Sequence, residues 1–398
     1  MMQKVVIIGH GYNNRLAILR SIGELGYEIS IVVIEQDKQR PIDSYSKYVT
    51  NYYQCEAETE ETLVQVLLTY CIDNKQKVIL IPTNDFSVFV IDRNHDKLEQ
   101  YFLFPNIHGR QGAVIEWMDK AKQKQLANKL GLKVANSRSL KIANDIYNVP
   151  SDVKYPCFVK AQSYVWNPKR ALKPCNNEID LKDHLNYVSE RYKDITILVE
   201  DFISIERECA VVGFSDGKEV VIPGVIEILS ITNGIARTGR IVPISDYRFL
   251  TEIFKQFVLE MGFVGIFDID FYLSGGEFYF GELNLRFGGS GAAFLKRGVN
   301  LPEMFIRTML GKSLDGMKKE ITSSSTFANE LVCLNNWFHN GMTLKELRQI
   351  LKNVDIVFVT DKSDPVPEKM FRKLFMKKRI LKMKMRLKKG IKRINCGR

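Results

Sequence analysis

Apolar and polar positions follow two different periods along this chain, and the switches between them mark its elements. Residues 4–9 (KVVIIG) are a short, almost wholly apolar run closed by glycine, the pattern of a buried parallel strand. His10-Gly11-Tyr12-Asn13-Asn14 reads as a turn, residues 15–26 as a helix and 29–34 as a second strand. That order predicts an α/β crossover on a parallel sheet. Residues 78–81 repeat the apolar run and end in Pro82-Thr83-Asn84-Asp85. At the carboxyl end of a strand, Asn84 and Asp85 either contact an acceptor substrate or cap the following helix. G-x-G-x-x-G is incomplete at the first turn, where Asn14 stands in the place of the third glycine after Gly9 and Gly11. The turn is therefore read as structural or substrate-facing, not as a dinucleotide site.

Farther along, residues 117–132 have the period of an amphipathic helix, and 154–160 form a strand that ends on Lys160. A helix over 178–192 precedes a strand over 195–199, and residues 209–244 alternate between strands and turns marked by Gly217 and Gly234. Helices follow over 247–261 and from Pro302 to Leu310, with the proline in a first turn, where its missing N–H is harmless. Residues 321–368 read as an appended lobe with a strand over 326–334, a helix over 343–352 and a strand over 355–360.

The pattern is sharpest over 264–292. Phe267, Ile269, Phe271 and Leu273 alternate with Asp268, Asp270 and Tyr272, the period of a half-buried strand. Gly275-Gly276 turns the chain, and Phe278-Tyr279-Phe280 leads into Glu282-Leu283-Asn284-Leu285-Arg286. Such a hairpin brings Asp270 opposite or next to opposite Glu282, with Asn284 and Arg286 on the same side. Two carboxylates and an amide oxygen form a hard-oxygen site, suited to Mg²⁺ and the phosphates it carries. Arg286 adds a cation for charge developing on a phosphoryl or acyl-phosphate group. Lys160, emerging from a buried strand, is a poor core residue and a good phosphate ligand. Arg237 and Arg240, flanking Gly239, either bind an anionic carboxylate or are exposed strand arginines.

Composition narrows the remaining classes. Apolar content of 45% and charged content of 26% over 398 residues are those of a globular protein of two or three domains. No run of 18 apolar residues is present, and the start MMQKVVIIGHGYNN reads as a strand, not a signal peptide. Seven cysteines without a C-x-x-C pair and five dispersed histidines speak against a disulfide framework and a zinc site, and for a cytoplasmic protein. The net charge of +11 is local: residues 369–398 hold fourteen Lys and Arg and no acid, which leaves −3 on the rest. The body therefore gives no sign of nucleic-acid binding. The tail, with Phe371, Leu374, Phe375 and Ile380 among its cations, suits peripheral contact with an anionic membrane surface.

Glu282-x-Asn284-x-Arg286, with Asp270 one hairpin strand earlier, resembles the metal-binding signature of the ATP-grasp superfamily. The resemblance covers roughly residues 1–312, and Arg20-Ser21-Ile22-Gly23 before Gly26 is similar to the D-aspartate-ligase-like branch. It implies an α/β chain with a Rossmann-like preATP-grasp domain over 1–115 and an ATP-grasp fold of two α+β lobes over 116–312. A C-terminal lobe over 313–368 and a basic tail over 369–398 are appended. It further implies that Asp270, Glu282 and Asn284 hold two Mg²⁺ (or Mn²⁺) ions, and that Lys120 and Lys160 hold the phosphates of ATP. Glu200-Asp201-Phe202-Ile203 would meet the adenine, through the backbone of Asp201 and Ile203 and with Glu200 near the amino group. Glu206 or Glu208 would accept the ribose hydroxyls, with Glu208, at the mouth of the next strand, preferred. The segment after Lys160 departs from the family: it has no glycine through Arg170, so Lys169 or Arg170 is expected to cover the phosphates instead.

The implied activity is a carboxylate–amine ligase working through an acyl phosphate on small-molecule substrates, with Arg286 and Lys160 as catalytic residues. Its expected setting is the cytoplasm or the inner face of the membrane, where an amino acid would be attached in cell-envelope or polysaccharide biosynthesis, on a lipid-linked acceptor, by a homodimer. The alternatives are a bicarbonate-activating enzyme like carbamoyl-phosphate synthase or biotin carboxylase, and a non-catalytic nucleotide-binding protein.

Overall fold

The computed structural model describes residues 2–35, 40–55, 59–71, 76–143, 147–165, 168–232, 234–339 and 341–377. Its N-terminal domain is a parallel sheet of β1 (Lys4–Gly9), β2 (Glu28–Ile34), β3 (Asn51–Cys55), β4 (Val78–Pro82) and β5 (Phe102–Leu103), in the order β3-β2-β1-β4-β5. All four neighbouring pairs are parallel. Residues 5–8 are fully buried on both faces, which is why β1 reads as a continuous apolar run. Helices α1 (Tyr12–Ile22), α2 (Glu60–Cys71) and α3 (Asp85–Arg93) make crossovers. The first helix begins at Tyr12, three residues before the pattern predicts, because the turn is completed by His10 and Gly11.

The next unit follows α4 (Lys120–Lys129). Strands β6 (Ser137–Ala143), β7 (Cys157–Ala161), β8 (Lys173–Cys175) and β9 (Asp194–Asp201) form an antiparallel sheet in the order β8-β7-β9-β6. Helix α5 (Glu178–Ser189) lays Leu181, Leu185 and Val188 on it.

The largest sheet runs β16-β15-β12-β11-β10-β13-β14, with the short strand Lys133–Val134 on the far edge. Its strands are β10 (Arg207–Asp216), β11 (Val225–Thr232), β12 (Ile235–Val242), β13 (Phe263–Ser274), β14 (Glu277–Asn284), β15 (Ser325–Ala328) and β16 (Ile356–Val357). Helix α6 (Arg248–Met261) covers one face, packing Phe254, Phe257 and Met261 against Phe267, Phe271 and Phe280. The other face is shared. Val212, Phe214 and Ile226 meet Leu16 and Leu19 of α1 and Met304 and Phe305 of α7 (Leu301–Met309) in one core. The N-terminal domain is thereby fixed against β10 and β11 of the large sheet.

In the appended lobe the strand ends at Ala328, and residues 330–334, read as its continuation, are the first part of helix α8 (Glu330–His339). Helix α9 (Leu344–Lys352) falls within the expected 343–352 and starts on a capping box between Thr343 and Glu346. Residues 366–377 are helical, and Phe375 stacks on Trp337 of α8 with ring centroids 6.2 Å apart. The rest of the basic tail, 378–398, lies outside the described residues.

Candidate active site

Residues Gly275 and Gly276 take φ of +58° and +78°, the two left-handed positions of a tight two-residue hairpin turn. From that turn the strands pair regularly to Phe271 and Phe280, and then the register shifts by one: Asp270 faces Glu282, and Asp268 faces Asn284. Gly281 is the extra residue of this bulge. A Cβ there would lie 2.7 Å from the Tyr272 ring and 2.8 Å from the Asp270 carbonyl oxygen. The bulge decides the chemistry. Unshifted pairing would send Glu282 and Asn284 to the α6 face, among phenylalanines; the shift puts them beside Asp268 and Asp270, and sends Leu283 and Leu285 to the core instead. Asp270 and Glu282 are therefore opposite one another, the closer of the two expected registers.

Asp268, absent from the sequence-based ligand set, belongs to this cluster. Its Oδ1 is buried and has no hydrogen-bond partner among the described residues. Desolvation pushes its carboxyl up to about 7, and Glu282 and Asp85 add to this against Arg286. Desolvation, together with Asp268, Glu282 and Glu208, holds Asp270 well above the usual carboxylate range. Glu282 differs: against the same desolvation, Lys120, Lys160 and Arg286 hold it below its ordinary value. An orphaned carboxylate oxygen, three converging carboxylates and the Asn284 amide are a donor set that fits a hard divalent cation.

Cations ring the acids. The Lys120 Nζ lies 3.4 Å from Glu282 Oε2. Arg286 donates from Nε to Asp85 Oδ1 at 2.6 Å and from Nη2 to Asn284 Oδ1 at 3.4 Å. Asn84 accepts from the Ser87 N–H at 3.3 Å, so it is the cap of α3, while Asp85 beside it turns to Arg286. Asn14 donates to the Phe287 carbonyl oxygen at 3.2 Å, tying the first helix to the loop after Arg286.

The second lysine stands on β7. Lys160 Nζ lies 3.1 Å from Glu200 Oε1, and Lys124, which the sequence reading passed over, reaches the same oxygen at 2.5 Å. Asp119 caps α4 through the Lys122 N–H and accepts from Gln162 Nε2 at 2.8 Å and Ser163 Oγ at 3.0 Å. The glycine-free segment after Lys160 is thus pinned to the start of the Lys120 helix. Tyr164 then stacks on Phe89 of the N-terminal domain, 4.7 Å between centroids. Lys169 and Arg170 are exposed on the turn Pro168–Ala171.

At the end of β9, Asp201 spends its N–H on the Asn136 carbonyl oxygen and its carboxylate on Arg138, at 2.6 Å. The chain leaves regular structure at Phe202, which is exposed. No hydrogen bond among the described residues uses the Ile203 N–H. Glu206 accepts from the Gly275 N–H at 2.6 Å and so serves the hairpin turn. Glu208 stands opposite Tyr272 on the carboxylate-bearing face, its acidity weakened by burial. Arg240 closes on the buried Glu227, which Tyr247 Oη also reaches at 2.5 Å, so this arginine is structural. Arg237, bonded to Ser230 Oγ at 3.0 Å, borders a separate cavity of about 590 Å³ beside α8 and α9.

Residues 125–298 match the ATP-grasp domain family. The carbamoyl phosphate synthase large chain of Gemmatimonas aurantiaca is 25% identical over 204 residues, which make up 49% of this chain and 18% of that much longer one. Among solved structures, the L-amino acid ligase of Bacillus licheniformis superposes with a TM-score of 0.64 at 15% identity, covering 81% of this chain and 80% of that one. The biotin carboxylase of Campylobacter jejuni superposes with a TM-score of 0.62 at 20% identity, covering 81% and 74%. The parallel N-terminal sheet, the small antiparallel sheet and the carboxylate hairpin on the large sheet are the parts of one known architecture: residues 125–298 are an ATP-grasp domain, and the chain has the ATP-grasp fold.

Proposed function

We propose that this protein is an ATP-dependent carboxylate–amine ligase. The observation that carries the reading is the convergence of Asp268, Asp270, Glu282 and Asn284 with Lys120 and Arg286 on one face of β13–β14, within reach of Lys160. A carboxylate oxygen of the first substrate attacks the γ-phosphorus of ATP, and the bond to the β,γ-bridging oxygen breaks to release ADP. An amine then attacks the acyl phosphate carbon, loses a proton and expels phosphate, leaving an amide. No protein nucleophile is needed, so the residues act by position and charge. Lys120 and Lys160 draw the phosphates in, the Ile203 N–H meets the adenine edge beside Glu200 and Asp201, and Glu208 receives the ribose. Arg286, oriented by Asp85, faces the charge that builds on the transferred group. Asp270, Glu282 and Asn284 would hold Mg²⁺, which supplies neutralisation of the phosphate oxygens.

An amino acid as one substrate, a lipid-linked acceptor and a cytoplasmic setting at the inner membrane face complete the reading. The basic tail supports it, and no helix among the described residues is long and apolar enough to cross a membrane. Bicarbonate as the activated carboxylate is the second reading, favoured by the similarity to the carbamoyl phosphate synthase large chain and to biotin carboxylase.

The test is ADP release with ATP and Mg²⁺, screened over amino acids of both hands and over bicarbonate. Amino-acid-dependent release that Glu282→Ala abolishes supports the ligase; release with bicarbonate alone replaces it with the second reading. Nucleotide binding without turnover in any pool, even with membrane extract added, would leave a binding protein.

A further inference from the structure

Glu200 is a carboxylate with only 7% of its surface exposed, and two ammonium groups compete for one of its oxygens. Lys160 comes to it from the neighbouring strand β7, at 3.1 Å. Lys124 comes from α4, at 2.5 Å, and is itself buried, 5% exposed, with its Nζ also donating to the Ala135 carbonyl oxygen at 3.1 Å. The two lysines differ in freedom. Lys124 is held at both ends of its reach, by a carboxylate and a carbonyl. Among the described residues Lys160 makes no hydrogen bond or ion pair besides that with Glu200, although Glu282 also feels its charge.

We propose that Lys124 is a positioning residue that keeps Glu200 paired and so releases Lys160 to the phosphates of ATP. This rests on the reading of Lys160 as a phosphate ligand. The physical reason is the cost of an unpaired buried charge. If Glu200 had Lys160 alone, moving that lysine to a phosphate would strand the carboxylate in a site with little water. With Lys124 fixed on the same oxygen, the carboxylate stays paired whether Lys160 is present or gone. Two cations beside one anion also repel each other, which favours the departure of the looser one. The nucleotide then gains a lysine at no loss to the end of β9, on which Glu200 stands.

The test is a double-mutant cycle on MgATP affinity, measured by calorimetry on the full chain. Lys124→Met leaves Lys160 as the sole partner of Glu200 and is expected to weaken MgATP by about tenfold. In a Glu200→Gln background the same Lys124→Met change is expected to cost less than about twofold, because no buried anion then holds Lys160 back. A general packing defect would cost the same in both backgrounds, and thermal unfolding of each variant reports that separately. The inference is overturned if Lys124→Met binds MgATP like the parent, or if its loss is equal in the two backgrounds. If Lys124→Met alone does not fold, the double variant against Glu200→Gln decides: equal affinity supports the inference, a tenfold difference overturns it. A parent chain that fails to bind MgATP would instead sink the functional reading, and the inference with it; an unweakened Lys160→Met would do so for the phosphate role alone.

Discussion

Arg286 and Asp85 stand 201 residues apart in sequence and 2.6 Å apart in the fold, joining the end of the carboxylate hairpin to the first turn of a helix in another domain. Nη2 of the same guanidinium reaches Asn284, so its plane is fixed at two points. Desolvation works against its charge, yet Asp85 and Asp268 together hold Arg286 charged above its ordinary range. An arginine aimed in this way is preorganised. Arg286→Ala is expected to lower substrate-dependent ADP release by about a hundredfold or more, and Asp85→Ala, which leaves the cation but frees its aim, by about tenfold. Steady-state ADP release by the two variants checks the order; an Asp85→Ala loss as deep as that of Arg286→Ala would mean Asp85 itself contacts substrate.

The carboxylate cluster ties stability to pH. Asp268 has a folded value of about 7, above the value near 4 of an unfolded aspartate. The folded state therefore binds the extra proton, and the stability it contributes is complete below about pH 4 and lost as pH rises toward and through about 7. The metal-free protein should unfold at a lower urea concentration at pH 8 than at pH 5.5. Asp268→Asn should flatten that difference, and Mg²⁺ should raise the pH 8 midpoint by binding the folded state. Urea titrations at the two pH values, with chelator and with Mg²⁺, give the answer; a midpoint that rises with pH in the chelated protein contradicts it.

Gly281 permits the register shift because nothing larger fits. Gly281→Val drives a side chain into the Tyr272 ring and the Asp270 carbonyl, and is expected to destabilise the large sheet by about 1–3 kcal/mol. Chemical denaturation followed by tryptophan fluorescence measures this, and an unchanged midpoint would show that the bulge relaxes freely.

The tail gives a prediction of a different kind. Residues 369–398 bring fourteen cations and no acid. Each cation near an anionic bilayer is worth about 1 kcal/mol at the surface. Co-sedimentation with phosphatidylglycerol vesicles is expected for the full chain, none with phosphatidylcholine, and none with either once 378–398 are removed. Equal sedimentation by the truncated chain would end the membrane reading.

Much of this site was legible in the sequence because a strand writes its two faces as alternation. Asp270, Glu282 and Asn284 emerge together in the fold, and Glu208 is separated from Glu206 by the latter's bond to the turn. Asp268 lies on the same alternation as Asp270 and was readable by the same rule; the motif drew attention past it. Lys124 was not legible. It sits on a polar helix among other lysines, and only the fold brings it to its buried partners, Glu200 and the Ala135 carbonyl oxygen. The partnership of Arg286 with Asp85 is likewise a property of domain packing that no local pattern carries. Residues 330–334 were misread because Leu331-Val332-Cys333-Leu334 is a short apolar run, which suits a buried strand and a buried helix equally.

The hairpin also has slack in one direction. From Ser274 to Asp270 is four steps along one strand, while from Glu277 to Glu282 is five along the other, and the surplus is stored at Gly281. Loss of one residue between the turn and Glu282 can therefore be absorbed by straightening the ladder, with Glu282 still across from Asp270. Gain of one residue has nowhere to go: it would rotate Glu282 and Asn284 toward the phenylalanines under α6. Tolerance to length changes in this strand should be one-sided, with shortening survivable and lengthening not.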